Sequence, residues 1–282
     1  MSTFRGVLRL FSTKPHNPAG EGGRMALSDH FRELRARLMQ SVLVLLIATI
    51  ASFFFYDQLL ELIVHPYNQA VDMLGGPKKV NSEIVLTGIT AGLMLQLKLC
   101  AVSGLVVSSP FWLYQVWAFI VPGLHRNERR WTYIFVAIAG PLFFAGVALG
   151  YYVLPKGLQV LISLNPNNFQ NLNDFHDFFS FVTTMLLVFG ISFEIPFIVV
   201  LLNLAGFLPG SALARYRPWI ITGTFVFAAV ATPSTDPVSM LLLAVPMTLL
   251  FFISEVIART VDRRRGRRAT AEALDDDTAS TL

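Results

Sequence analysis

Long apolar runs alternate along this chain with short polar connections that carry most of its charge. A helix that crosses a hydrocarbon core about 30 Å thick needs roughly 20 mostly apolar residues. Leu38 to Tyr56, Ala91 to Pro110, Trp131 to Leu154 and Phe178 to Gly206 meet that length, with Pro141 inside the third run and Pro196 inside the fourth. The apolar stretch from Trp219 to Ser254 is cut by Pro233, Asp236 and Pro237, which suit a turn and resist one continuous helix.

Charge decides how often that last stretch crosses. Arg215 and Arg217 precede it, and Arg259, Arg263, Arg264, Arg265, Arg267 and Arg268 follow it. Basic flanks stay in the cytoplasm, so the number of crossings between them is even, and a hairpin of two short helices is expected. Its first arm, Trp219 to Thr232, is only about 21 Å long at 1.5 Å per residue, which calls for local bilayer thinning. Arg24, Arg32, Arg35 and Arg37 before the first run, and Arg126, Arg129 and Arg130 between the second and third, place those segments on the same side. The outward connections, Asp57 to Thr90 and Pro155 to Asp177, are poor in bases. The pattern thus predicts an all-α integral membrane protein of about six transmembrane helices, with both termini cytoplasmic and the last two helices short.

Composition supports a lipid solvent: 54% of residues are hydrophobic and 14% charged, where a soluble domain has about a quarter charged. The net charge of +4 is spread over termini and connections, which gives nucleic-acid binding little support. Cys100 is the only cysteine, so neither a disulfide framework nor a cysteine-based metal site forms within one chain. The division expected is a basic arm over 1–26, a membrane domain over 27–258 and a charged, disordered tail over 259–282. Arg5, Arg9 and Lys14, with no acid among them up to Pro18, match an organellar transit peptide and a mobile basic arm equally well. No secretory signal is visible, because Val7 to Phe11 is short and interrupted by Arg9.

Several polar residues are candidates for chemistry. Glu194 sits inside the fourth run, where an ionisable group is costly unless it faces protein or water. Pro196 denies the Ser192 carbonyl its helical partner, which points to a kink and a polar pocket there. A role in tying helices together remains the alternative. Lys98 is the other intramembrane charge, and snorkelling toward the outer surface accounts for it. Glu33 and Glu128 are carboxylates in otherwise basic segments. A surface ion pair with Arg37 explains Glu33 equally, and an exposed loop charge explains Glu128. Phe111 to Phe119 is rich in aromatics, as in an interfacial belt or, alternatively, a peptide-binding groove. No enzyme signature is present, no metal or cofactor site is indicated, and the five histidines lie outside the spans. A proton-coupled small-molecule transporter using Glu194 and Lys98 is the alternative function.

Four segments resemble the TatC family. Glu33-Leu34-Arg35-Ala36-Arg37-Leu38 and Tyr114 to Leu124 with Glu128-Arg129-Arg130 are similar to its amino-terminal and first cytoplasmic loop motifs. Phe189 to Pro196 looks like its fourth-helix motif, and Thr232-Pro233 with Asp236-Pro237 and Pro246 like its last hairpin. The resemblance runs from about Leu27 to Arg259. It implies a cupped bundle in a bacterial cytoplasmic membrane. It also implies a receptor subunit of the twin-arginine translocase, not an enzyme, that binds paired-arginine signal peptides of folded cargo. The receptor complex is expected to be oligomeric, to assemble with single-span TatA- and TatB-type partners and to draw on the proton-motive force. By the same resemblance Glu33, Arg35, Phe119, Glu128 and Arg129 belong to the signal-binding site, Glu194, Pro196, Thr232 and Asp236 to an intramembrane partner surface, and Pro66 to a functional outer loop. Met240 stands where some relatives carry a polar partner-contacting residue.

Overall fold

In the computed structural model, the residues described are 27–74, 82–120, 128–164, 171–204, 206–232 and 237–279, so the basic arm over 1–26 lies outside them. A segment in lipid must satisfy its backbone polar groups internally, and each apolar run does so as a helix. Helix α1, Leu27–Ser52, passes through a 3-10 turn, Phe53–Phe55, into α2, Tyr56–Leu74. Strand β1, Ser82–Val85, leads to α3, Ala91–Val107, and α4, Ser109–Ile120. There follow α5, Glu128–Leu164, β2, Asn171–Asp174, and α6, Phe175–Leu204. The chain ends in α7, Gly210–Arg215, α8, Arg217–Ala231, and α9, Pro237–Ala279.

Two helices run beyond the apolar runs that announce them. The outer connection is helical where it holds Pro66, which is buried inside α2. A mid-helix proline costs about 3 kcal/mol, and the buried stripe of Ile63, Tyr67, Ala70 and Val71 overrides it. Helix α9 has 43 residues, because it runs on past its apolar part and carries the charged segment as far as Ala279. Its apolar part has already met the cost of nucleation, and Ala269, Ala271, Glu272, Ala273 and Leu274 propagate a helix well. Helix α8 is short as expected, with 15 residues, or about 22 Å.

The fold adds one feature to the helices. β1 and β2 pair in a two-stranded sheet, so the α2–α3 and α5–α6 connections meet on one side. The second apolar run is also broken, with α3 and α4 meeting at 55°. Pro110 opens α4 without an N–H to give, and the Trp112 indole N–H donates to the Leu105 carbonyl at 3.0 Å across the break.

Two compact units form. One gathers α1, α2 up to Gln69, β1, α3, α4, α5 up to Phe144 and most of β2. Within it, Gly104 lets α3 lie directly on α1, since a Cβ there would stand 2.5 Å from Thr49 Oγ1 and 2.7 Å from the Thr49 nitrogen. The other unit holds the end of α2, the rest of α5, α6 from Phe178 onward and α7 to α9, and Gly146 brings α5 against the Phe189 carbonyl of α6 in the same way.

In the second unit the basic flanks of the last apolar stretch meet. Glu255 of α9 is 3% exposed and accepts from Arg217 of α8 at 2.6 and 3.1 Å, and it pairs with Arg259 at 2.5 Å. One turn and three residues farther on, Asp262 accepts from the Gly210 N–H at 2.6 Å and from the Asn203 side-chain amide at 2.8 Å. The start of α8 and the end of the apolar part of α9 therefore lie side by side, as a hairpin requires. Replacing both arginines, Arg217→Ala with Arg259→Ala, strands a buried carboxylate and is expected to cost about 3–5 kcal/mol. Glu255→Leu is milder, because each arginine side chain is 41% exposed and can rehydrate. Thermal unfolding of the purified chain in detergent gives the order, and a milder double variant contradicts it.

Candidate functional site

At the basic end of the first unit, α1 turns one face onto α4. Glu33 and Arg37 lie four residues apart on that face, each with a side chain 15% exposed. Arg37 Nε and Nη2 donate to Glu33 Oε1 at 2.9 and 2.6 Å. Arg37 Nη1 donates to Gln115 Oε1 of α4 at 3.2 Å, and Gln115 Nε2 donates to Gln40 Oε1 at 2.9 Å. Ala36 packs beneath at 1% exposure. Phe119, half-buried, follows Gln115 by one turn on the same face of α4. Arg35 is exposed and two positions from Glu33, which turns it toward another face of the helix. Glu128 and Arg129 open α5, but their side chains lie outside the described residues.

The surface ion pair is therefore present, but it is only part of a chain of four polar side chains linking α1 to α4. The aromatic run is not a lipid-facing belt throughout. Leu113, Gln115, Trp117 and Ala118 are buried, and Trp112 packs edge-on against Phe143 of α5 with centroids 5.6 Å apart.

The opposite end carries a second polar cluster. Lys98 reaches His176, at the start of α6, with Nζ 3.1 Å from Nδ1. Snorkelling accounts for this lysine, and the histidine gives its ammonium a partner. Asp174 accepts from the Thr87 hydroxyl and from the His176 backbone N–H at 2.7 Å. The Thr87 bond, followed by the His176 N–H, holds the Asp174 carboxyl below its ordinary range.

In the second unit Glu194 lies on α6 two residues before Pro196, and both are buried. Neither carboxylate oxygen of Glu194 has a hydrogen-bond partner among the described residues. The nearby Ser192 hydroxyl turns back to the Val188 carbonyl at 2.6 Å. Thr232, also buried, ends α8 with its hydroxyl on the Ala228 carbonyl at 2.9 Å. Asp236 lies outside the described residues.

Sequence reasoning missed Gln115, hidden among aromatics, and Glu255, just beyond the last apolar stretch. The signal for Glu255 was an acid one turn before Arg259 in a basic flank. For Gln115 it was a lone amide inside the aromatic, apolar run of α4. Among the described residues no group of three or more His, Cys, Asp or Glu is placed to hold a metal ion.

Known proteins share this architecture. The family model for the Sec-independent protein translocase protein TatC matches residues 29–246. The Sec-independent protein translocase protein TatC of Frankia casuarinae is 39% identical over 273 residues, covering 93% of this chain and 74% of that protein. Its counterpart in Deinococcus radiodurans is 36% identical over 234 residues, covering 83% of this chain and 85% of its own length. A crystal structure of the twin-arginine translocase receptor TatC superposes with a TM-score of 0.71 at 29% identity, covering 82% of this chain and 98% of that one.

The Asp174 clasp gives a pH prediction. A depressed carboxyl stabilises the fold above its unfolded value, here 3.8, and loses that contribution as pH falls through the lower folded value. Protection of the β1 and β2 amides, taken relative to the intrinsic exchange rate, should fall on acidification below the ordinary carboxylate range. In Asp174→Asn this acid-dependent step is expected to disappear; an unchanged acid step in that variant would assign it to another group.

Proposed function

We propose that this chain, which belongs to the TatC family of Sec-independent protein translocase proteins, receives paired-arginine signal peptides at its basic, cytoplasmic face. It is a non-enzymatic component of the twin-arginine translocase. The observation that carries the docking reading is Glu33: a carboxylate with a 15% exposed side chain, set by Arg37 and α4 in an otherwise basic segment. A guanidinium recognises a carboxylate through two directed N–H groups, a geometry an ammonium cannot copy. Glu128 and Arg129, at the start of α5, and Phe119, one turn beyond Gln115, complete the surface by position, and Arg35 offers an exposed charge beside it.

The topology follows six spans in the bacterial cytoplasmic membrane with both termini inside. Among the described residues four helices are long and apolar enough to cross, with α1 and α2 counted as one, the bent pair α3 and α4 makes a fifth, and α8 is a shorter apolar helix. Pairing of β1 with β2 on one side, and the joined basic flanks of α8 and α9, support the even crossing numbers that this arrangement needs.

Glu194 supports the second half of the reading, assembly with TatA- and TatB-type single-span partners. A buried carboxyl without a hydrogen-bond partner is unfavourable by several kcal/mol unless it is protonated or met by water or another chain. A polar group from a partner helix relieves that penalty, with Pro196 two residues farther along α6 and Thr232 ending α8 in the same unit. Once such a complex has formed, the proton-motive force drives cargo across, supplying about 2.3 kcal/mol per charge per 100 mV. The transporter alternative loses its relay, because Lys98 is taken by His176.

Two measurements test the reading. Glu33→Gln and Glu128→Gln are each expected to weaken binding of a paired-arginine signal peptide at least about tenfold, or 1.4 kcal/mol. Unchanged binding in both returns these residues to ordinary surface charges. Glu194→Gln is expected to keep the fold and much of the signal binding while impairing partner assembly or transport, and Glu194→Leu to impair them further. Normal transport by Glu194→Leu excludes the role.

A further inference from the structure

Gln115 is 5% exposed, so its amide has to be satisfied by protein. Its NH2 group donates to Gln40 Oε1 at 2.9 Å, which turns its carbonyl oxygen toward Arg37 Nη1 at 3.2 Å. A flipped amide would set donor against donor at Arg37 and oxygen against oxygen at Gln40, so the orientation is determined by chemistry. Arg37, held from behind in this way, places Nε and Nη2 on a single oxygen of Glu33, Oε1, at 2.9 and 2.6 Å. Among the described residues Glu33 Oε2 carries no hydrogen bond. An ionised carboxylate has about four acceptor positions, so one oxygen remains for an outside donor.

We infer that Gln40, Gln115 and Arg37 form a positioning relay that presents Glu33 Oε2 to an incoming guanidinium and makes the site selective for arginine over lysine. The inference rests on the docking reading of Glu33. The incoming arginine repeats on Oε2 the two-donor contact that Arg37 makes on Oε1. Arg37 also cancels much of the net charge of the carboxylate. An ammonium, recognised mainly as a point charge, then gains little, whereas a planar guanidinium still finds directed acceptor positions. Holding Glu33 in one rotamer beforehand removes an ordering cost that docking would otherwise carry. Arg37 and Gln115 therefore raise discrimination through Glu33 without touching the peptide themselves.

The test uses the full chain in phospholipid nanodiscs, with a synthetic paired-arginine signal peptide and its paired-lysine counterpart as probes. In Gln115→Leu, affinity for the arginine peptide is expected to fall about tenfold, with a smaller loss for the lysine peptide, so that the ratio between them narrows. In a Glu33→Gln background the same Gln115→Leu change is expected to add no further loss, because its effect passes through Glu33. Gln115→Met, closer in shape, serves if Gln115→Leu does not fold. An unchanged ratio in these variants, while Glu33→Gln does lose binding, overturns the relay alone. A further loss in the Glu33→Gln background also overturns it, since that is what mere structural support produces. Tighter binding of the arginine peptide by Arg37→Gln means that Arg37 covers the carboxylate and does not present it, which again overturns the proposal. Full binding by Glu33→Gln overturns the docking reading and the relay with it.

Discussion

A charge at the edge of a hydrocarbon layer is unfavourable unless another group meets it, and that constraint organises this protein from end to end. In one unit Glu33 is met by Arg37, Lys98 by His176 and Asp174 by Thr87. In the other Glu255 is met by Arg217 and Arg259, and Asp262 by Asn203 and the Gly210 N–H. Most of these contacts join different helices or connections. The groups that are costly to bury thus become the ties that set which helix ends lie together. The helices themselves pack through small residues, as Gly104 against Thr49 and Gly146 against the Phe189 carbonyl show, because lipid offers apolar faces no strong reason to associate.

Glu194 is the exception that the same constraint makes informative. Its oxygens are buried and unpartnered among the described residues, in a chain that otherwise pairs its membrane-edge charges. Where Glu255 has two arginines, Glu194 has none, and Pro196 beside it keeps the local backbone from supplying a regular helical environment. A group left in that condition fits a surface completed by another chain. Glu33 differs again: one oxygen is used internally and one is left over, which suits a site that receives a ligand and then releases it.

The all-helical membrane character, the positions of the apolar runs and the hairpin at the end were legible from the sequence alone, whereas the helices over Phe31–Leu74 and Glu128–Leu164 run well past the apolar runs that announced them. The short α8 was legible from local composition too, and so was the pair of Glu33 with Arg37, a consequence of helical spacing. Local composition did not announce that α2 continues through Pro66 or that α9 carries the charged segment. In both cases a neighbouring formed structure, the buried stripe of α2 and the nucleated α9, outweighed the preference of the residues themselves. Only the tertiary structure decided that Gln115 stands behind Arg37, that Glu255 draws in arginines from two helices, and that Lys98 reaches His176. Each of those contacts except Arg259 with Glu255 links residues far apart in the chain, and no local pattern of charge or hydropathy encodes which helix ends will meet.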